Sequence, residues 1–168
     1  YEKVAINMRA GENRTPQYLA LNPRGQVPVL TDGDVTVWDS QAILVYLARA
    51  YGGEAWLPID ARGMAEVMQW MAVSENEILY GLARARAMQK FGVPGDVEAA
   101  RAMGHKILDV LNGHLATRDW LACGRLTIAD VACFPYVALA PEGGVALDQY
   151  ASVGRWIAWI TFAIENVL

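Results

Sequence analysis

Asn22-Pro23-Arg24-Gly25-Gln26-Val27-Pro28-Val29-Leu30 and, further along, Trp38-Asp39-Ser40-Gln41-Ala42-Ile43 are the two stretches that decide the fold. Together they predict a turn, a strand that contains a proline, a second strand and a helix that opens on Asp-Ser. Proline has no N–H to donate to a β-ladder, so a central strand should not contain Pro28. A cis Val27–Pro28 bond would explain its position, because it would turn the chain and point the backbone N–H and C=O of Val27 into solvent.

The exposed backbone at Val27 and the helix start at Ser40 together indicate a ligand. An unpaired backbone edge can bind a peptide-like molecule as an added strand. The free N–H groups and the positive dipole end of a helix attract a carboxylate. Both features suit glutathione, a tripeptide with a free carboxylate at each end. Two simpler alternatives are an edge strand with a trans Pro28 and plain N-capping by Asp39 and Ser40.

Residues 22–30 and 38–48 resemble the glutathione-binding segment of the glutathione S-transferase family, in its bacterial, cytosolic type. The segment Leu126-Thr127-Ile128-Ala129-Asp130-Val131 resembles the capping motif of that family's second, helical domain. Such pieces extend in the family's order from about Tyr1 to Trp156. The resemblance implies an α/β thioredoxin-like N-terminal domain followed by an all-α helical-bundle C-terminal domain.

The resemblance also implies how the γ-glutamyl and cysteinyl parts of glutathione are bound. Ser40 and its N–H would bind the γ-glutamyl carboxylate, Gln26 would be a further contact, and Asp39 would face the amine. Val27 and Pro28 would hold the peptide backbone.

Two further sites are implied outside this segment. Asn13 and Arg14 lie in the loop where several family members contact the glycyl carboxylate, and an arginine suits a carboxylate as a charge-assisted donor. Loop arginines are usually just solvated, which is the alternative. Tyr80 and Arg84 would border the pocket of the second substrate, because the corresponding family helix faces the active-site cleft and the dimer partner. Ordinary core packing is the simpler explanation for that helix.

The segment 52–60 contains two glycines and a proline and is predicted to link two domains. Residues 1–51 would form the glutathione-binding domain. Its predicted elements are a strand over 1–8, a helical turn from Pro16, a hairpin of strands 27–31 and 35–38, and a helix from Asp39 or Ser40 to about Tyr51. Residues 61–168 would be all helical, with helices over 61–90, 96–116, 127–138 and 152–166. Thr127 and Asp130 have the spacing of a capping box.

A domain of this family starts with a strand and a helix that would precede Tyr1. The residue that activates the glutathione thiol, a Tyr, Ser or Cys, follows that first strand. We therefore expect the N-terminal domain to be incomplete in this sequence, and the catalytic residue is unknown. The opening segment is either truly missing or unrecorded, and we favour the second because few domains fold without such a piece.

Composition excludes several other classes of protein. The chain has 168 residues, 54% of them hydrophobic and 19% charged, which indicates a folded protein with a sizeable core. Its net charge is −4 without clustered Lys and Arg, so nucleic acid is not an expected partner. No apolar run reaches the eighteen or so residues of a membrane span. Cys123 and Cys133 are too few for a disulfide framework, which favours a reducing cytoplasm and packed thiols. His105 and His114 lack metal-ligand spacing, and no metal is predicted.

These observations lead to one favoured function and two alternatives. The favoured function is a cytoplasmic, homodimeric glutathione transferase that conjugates the glutathione thiolate to a small apolar electrophile in detoxification. The first alternative is a non-catalytic glutathione-binding or protein-interaction module. The second is another glutathione-dependent activity on the same fold, such as a reductase, isomerase or etherase.

Overall fold

A computed structural model describes residues 1–167 of the chain. Its backbone contacts divide it into two compact units that meet in sequence at the Gly52-Gly53 pair. No helix within residues 1–167 has both the length and the apolar character needed to cross a lipid bilayer.

The first unit contains a short helix, a hairpin and a second helix. Its elements are α1 (Pro16–Leu21), β1 (Val29–Asp32), β2 (Val35–Trp38) and α2 (Ser40–Leu47), and α2 continues as a π-helical turn over Ala48–Gly52. The predicted start of α1 is confirmed, because the Thr15 side chain accepts the N–H of Tyr18 and Pro16 occupies the first turn.

The hairpin forms where the sequence predicted it, with β1 shifted along the chain. The strands pair in antiparallel register from Val29 opposite Trp38 to Asp32 opposite Val35. Gly33 in the connecting turn has a φ of +60°, a conformation that glycine adopts at no steric cost.

The strand predicted over residues 1–8 is wrong. Residues 1–7 have no regular structure, and Met8–Ala10 is a turn of 3-10 helix. An alternating pattern makes a strand only when another strand pairs with it. In the described part of the chain β1 pairs with β2 alone, so this segment has no such partner.

The second unit is all helical, as the sequence predicted. The long predicted helix is continuous and consists of α3 (Ala61–Val73), a π-helical segment (Ser74–Ala83) and α4 (Arg84–Phe91). It is followed by α5 (Val97–Leu115), α6 (Ile128–Ala138), a short 3-10 helix (Ala140–Gly143) and α7 (Ala151–Val167). The core includes the buried side chains of Val67, Ile78, Leu108, Leu111, Val137, Val153 and Trp156.

The π-helical segment and α5 come into close contact at a pair of glycines. A Cβ atom added to Gly81 would lie 2.8 Å from the backbone nitrogen of Gly104. A Cβ added to Gly104 would lie 2.6 Å from Cδ2 of Leu82. The absence of side chains at these two positions therefore lets the helices pack almost backbone to backbone.

The predicted capping box at the start of α6 is confirmed, and its carboxylate has a wider role. Asp130 is fully buried. Its Oδ2 accepts hydrogen bonds from the N–H and hydroxyl of Thr127, at 3.0 and 3.2 Å. Its Oδ1 accepts from the N–H of Leu121 and from Nε1 of Trp156, both at 3.0 Å. Burial raises the pKa of Asp130, and these four donors oppose that rise.

Replacing Asp130 by Asn should destabilise the helical unit by about 2–4 kcal/mol. All four groups around the carboxylate are donors, so the new NH₂ group would face donors and leave at least one of them unpaired. Urea unfolding followed by circular dichroism measures the change. Asp119→Asn, on an exposed residue of the same unit, is the matched control. A loss no larger than that of the control would contradict the role of Asp130.

Candidate functional site

The turn that precedes β1 is held by buried polar side chains. Asn22 is 1% exposed, and its Nδ2 donates to the carbonyl oxygen of Gln26 at 2.7 Å. The Oδ1 of Asn22 accepts the N–H of Arg24 at 3.0 Å. The Tyr18 hydroxyl donates to the same Gln26 carbonyl at 2.8 Å. These bonds fix the backbone on the N-terminal side of Val27.

The backbone of Val27 is left free. The Val27–Pro28 peptide bond is cis, which confirms the prediction from the sequence. The Val27 side chain is 46% exposed. Within residues 1–167 neither its N–H nor its C=O makes a hydrogen bond. One donor and one acceptor are therefore presented together, the pattern that an extended peptide can pair with.

The N-terminus of α2 presents a second set of free groups. Asp39 is the N-cap, and its Oδ1 accepts the N–H groups of Gln41 and Ala42 at 3.0 and 3.4 Å. The Asp39 backbone has a φ of +81°, which is rare for a residue with a side chain and is enriched at functional sites. Ser40 is exposed, and neither its N–H nor its hydroxyl has a hydrogen-bond partner in the described chain. These two donors lie at the positive end of the helix dipole.

The hairpin places the two sets of free groups at the same end of the first unit. Val29 pairs with Trp38, so residues 27–28 lead into the hairpin at the end where residues 39–40 leave it. Arg24 also joins the two segments, because its Nη1 lies 3.3 Å from Oδ2 of Asp39. An exposed pair of this kind contributes little stability, but it limits how far the turn and the helix end can separate.

The other residues predicted to bind glutathione, Gln26, Asn13 and Arg14, differ in whether their side chains already make hydrogen bonds. Gln26 is exposed, and its side-chain amide has no partner among residues 1–167. Asn13 is 6% exposed, and its Nδ2 already donates to the carbonyl of Gly25 at 2.7 Å. Arg14 is exposed, and its Nη1 donates to the carbonyl of Arg24 at 3.3 Å. Asn13 thus supports the turn, and its contact with a ligand stays a prediction.

The sequence did not indicate the supporting roles of three residues around this site: Tyr18, Asn22 and Arg24. The signal available was the Asn-Pro dipeptide at the start of a turn, where an asparagine side chain often bonds to nearby backbone. Nothing in the sequence pattern marked Tyr18 as a partner of Gln26.

In the second unit, the candidate residues of the second-substrate pocket lie on one helix surface. Tyr80, in the π-helical segment, is 57% exposed, and Arg84, at the start of α4, is exposed as well. Both side chains are therefore accessible from solvent.

The thiols of Cys123 and Cys133 are both poorly suited to act as nucleophiles. Cys133 is fully buried and donates to the carbonyl of Trp70 at 3.3 Å, and burial raises the pKa of its thiol. Burial, followed by the charge of Glu66, raises the pKa of the half-buried Cys123. Both thiols therefore stay protonated at neutral pH, and the thiol form is a weak nucleophile.

Comparisons with known proteins agree with this geometry. The family model of the glutathione S-transferase N-terminal domain matches residues 1–49, and that of the C-terminal domain matches residues 94–158. The chain is 32% identical to glutathione S-transferase 2 of Anopheles gambiae, over 90% of this chain and 73% of that protein. It is 34% identical to a probable glutathione S-transferase, GSTF2, of Oryza sativa subsp. japonica, over 93% of this chain and 77% of that protein.

A solved structure extends the similarity to the fold. The crystal structure of glutathione S-transferase from Pseudomonas fluorescens superposes with a TM-score of 0.83 at 31% identity, over 92% of this chain and 78% of that one. The chain therefore belongs to the glutathione S-transferase family. Its first unit is the thioredoxin-like domain of that family, and its second unit is the all-α domain.

Replacing Asn22 by Ala should destabilise the first unit by about 1–3 kcal/mol. The substitution removes one of two donors to the Gln26 carbonyl and leaves the N–H of Arg24 without its acceptor. Amide hydrogen exchange of the first unit measures the loss. Asn76→Ala, on an exposed asparagine whose Nδ2 bonds within its own helix, is the control. Unchanged exchange rates at residues 22–28 would contradict the role of Asn22.

Proposed function

We propose that the chain is a glutathione transferase that joins the glutathione thiolate to a small apolar electrophile. The observation that carries the proposal is the free backbone of Val27 at the same end of the hairpin as the free N–H and hydroxyl of Ser40. A peptide-binding edge and a carboxylate-binding helix end in this arrangement match the γ-glutamyl-cysteinyl part of glutathione.

The proposed contacts of glutathione follow from which backbone and side-chain groups can still make a hydrogen bond. The cysteinyl peptide unit would pair with the backbone N–H and C=O of Val27, beside Pro28. The γ-glutamyl carboxylate would accept the Ser40 N–H and hydroxyl, and the amide of Gln26 is available for a further bond. The γ-glutamyl ammonium would lie beside Asp39, whose Oδ2 accepts a hydrogen bond from Arg24 alone among residues 1–167 and can accept a second donor.

The other carboxylate of glutathione would be bound at the loop that contains Arg14. The guanidinium of Arg14 makes one long hydrogen bond, to a carbonyl, and is otherwise exposed. It therefore has donors left for the glycyl carboxylate. Asn13 would act there mainly by holding Gly25.

The reaction would be an attack by the glutathione sulfur on the electrophile. A carbon–sulfur bond forms, the bond to the leaving group breaks, and the thiol proton is lost to solvent. The described residues would bind and orient glutathione, which removes much of the entropic part of the barrier. No residue of this chain is assigned to activating the thiol.

The proposal also covers the second substrate, the oligomeric state and the cellular location. Tyr80 and Arg84 would contact the second substrate, with the phenol ring supplying apolar surface. The chain would form a homodimer through the long helix over residues 61–90, where Ala61, Ala65, Met68 and Ala72 of α3 are exposed on one face and would allow close packing. Detoxification in the cytoplasm would suit free thiols at Cys123 and Cys133.

Replacing Ser40 by Ala should raise the dissociation constant of glutathione about ten- to a hundredfold, because a hydrogen bond to a charged group contributes about 1.5–3 kcal/mol. Isothermal titration calorimetry measures the constant. Thr36→Val is the matched control, since it removes an exposed hydroxyl from β2 of the same unit. Equal dissociation constants for wild type and Ser40→Ala would refute the role of the hydroxyl.

Replacing Tyr80 by Ala should raise the KM for an apolar electrophile about tenfold while leaving the affinity for glutathione unchanged. Steady-state kinetics with 1-chloro-2,4-dinitrobenzene, together with glutathione titration, separates the two effects. Tyr136→Ala, on another partly exposed tyrosine of the helical unit, is the control. Similar changes in both quantities would remove Tyr80 from the proposed pocket.

A further inference from the structure

A carboxylate at the tip of the hairpin binds two tyrosines of the following helix. Oδ2 of Asp32, the last residue of β1, accepts a hydrogen bond from the Tyr46 hydroxyl at 2.9 Å. The same oxygen accepts a hydrogen bond from the hydroxyl of Tyr51. We name these three residues, Asp32, Tyr46 and Tyr51, the tyrosine pin. The hydrogen bond from Tyr51, followed by that from Tyr46, lowers the pKa of Asp32.

The pin lies at the opposite end of α2 from the groups that would bind glutathione. The chain leaves β2 at Trp38, begins α2 at Ser40 and returns along the hairpin toward its tip. Ser40 and Tyr46 are separated by about 9 Å along the helix axis, at 1.5 Å per residue. Val29 and Asp32 are separated by about 10 Å along β1. The helix and the hairpin are therefore joined at both ends, by Asp39 near the groups that would bind glutathione and by the pin at the tip.

The tyrosine pin adds directional bonds to the packing of α2 against the hairpin. No residue of α2 is fully buried. Tyr51 is 70% exposed, so its ring adds little apolar burial, and its hydroxyl nevertheless reaches the same oxygen as Tyr46. The chain link at Asp39 fixes the N-terminal end of α2, and the two directional bonds of the pin would limit how far its other end can tilt.

We propose that Asp32 is a positioning residue for the γ-glutamyl carboxylate site, acting through Tyr46 and Tyr51. The pin sets the direction of α2 and so the direction in which the Ser40 N–H and the helix dipole point. This inference rests on the proposed function, since it assumes that the γ-glutamyl carboxylate binds at Ser40. If hydrogen-bond donors point slightly away from a charged ligand, binding weakens although the chain stays folded.

The test compares two ligands and two variants by isothermal titration calorimetry with the full chain. The ligands are glutathione and 4-aminobutyryl-Cys-Gly, the same molecule without the γ-glutamyl carboxylate. The main variant is the double substitution Tyr46→Phe, Tyr51→Phe, which keeps both rings and removes both donors. We expect its affinity for glutathione to fall about fivefold and its affinity for the analogue to change by less than about twofold.

A second variant and two matched control variants test whether a loss of affinity comes from loss of structure. Asp32→Asn removes the charge and keeps one acceptor, so it should lower glutathione affinity by a smaller factor, about two- to threefold. Asp34→Asn makes the same change in the neighbouring turn position, and Tyr136→Phe removes a tyrosine hydroxyl from the other unit. Both controls should bind glutathione like wild type. Circular dichroism spectra check whether each variant is folded.

The outcomes separate the inference from the proposed function. A selective loss for glutathione supports the pin as a positioning device. An equal loss for both ligands would show that the pin only supports the fold of the first unit, and an unchanged affinity for both would show that it does nothing for the site. Either result overturns the inference alone. Equal affinity of the wild-type chain for the two ligands would overturn the proposed carboxylate site, and the inference with it.

Discussion

The candidate site depends on one buried hydrogen-bonding arrangement around the carbonyl of Gln26. Asn22 and Tyr18 both donate to that oxygen, so the turn is fixed one residue before Val27. Because the backbone before Val27 is satisfied in this way, Val27 itself can be left unpaired at the surface at little further cost. The free donor and acceptor of Val27 therefore follow a turn whose shape is set by the polar side chains of Tyr18 and Asn22.

Asp130 has a comparable role in the helical unit. Its carboxylate joins the start of α6 to the loop at Leu121 and to Trp156 of α7. In the first unit the buried side chain of Asn22 fixes a local turn through bonds to Arg24 and Gln26, whereas in the second unit Asp130 connects segments that are distant in sequence. Such groups are expensive to bury unless every partner is present, so each one favours a single arrangement of the chain around it.

Local signals in the sequence predicted most of the fold. A proline inside an apolar run indicated the cis bond, Asp-Gly-Asp marked the hairpin, and the spacing of Thr127 and Asp130 marked the start of α6. Each of these depends on a few neighbouring residues. The strand over residues 1–8 was wrong because strand formation depends on a partner that the pattern cannot reveal. The bonds from Tyr18 to Gln26 and from Tyr51 to Asp32 join residues 8 and 19 positions apart. No local rule predicts them, since they depend on where the folded chain brings each side chain.

The contact between Gly81 and Gly104 restricts how the sequence of this helical bundle can change in evolution. Most positions on the exposed helix faces accept any residue that favours a helix. At Gly81 an added methyl would meet backbone atoms of α5, which no change of rotamer can move aside. Relatives that keep this helix crossing must therefore keep a glycine there, while those that replace it must separate the two helices and refill the core between them.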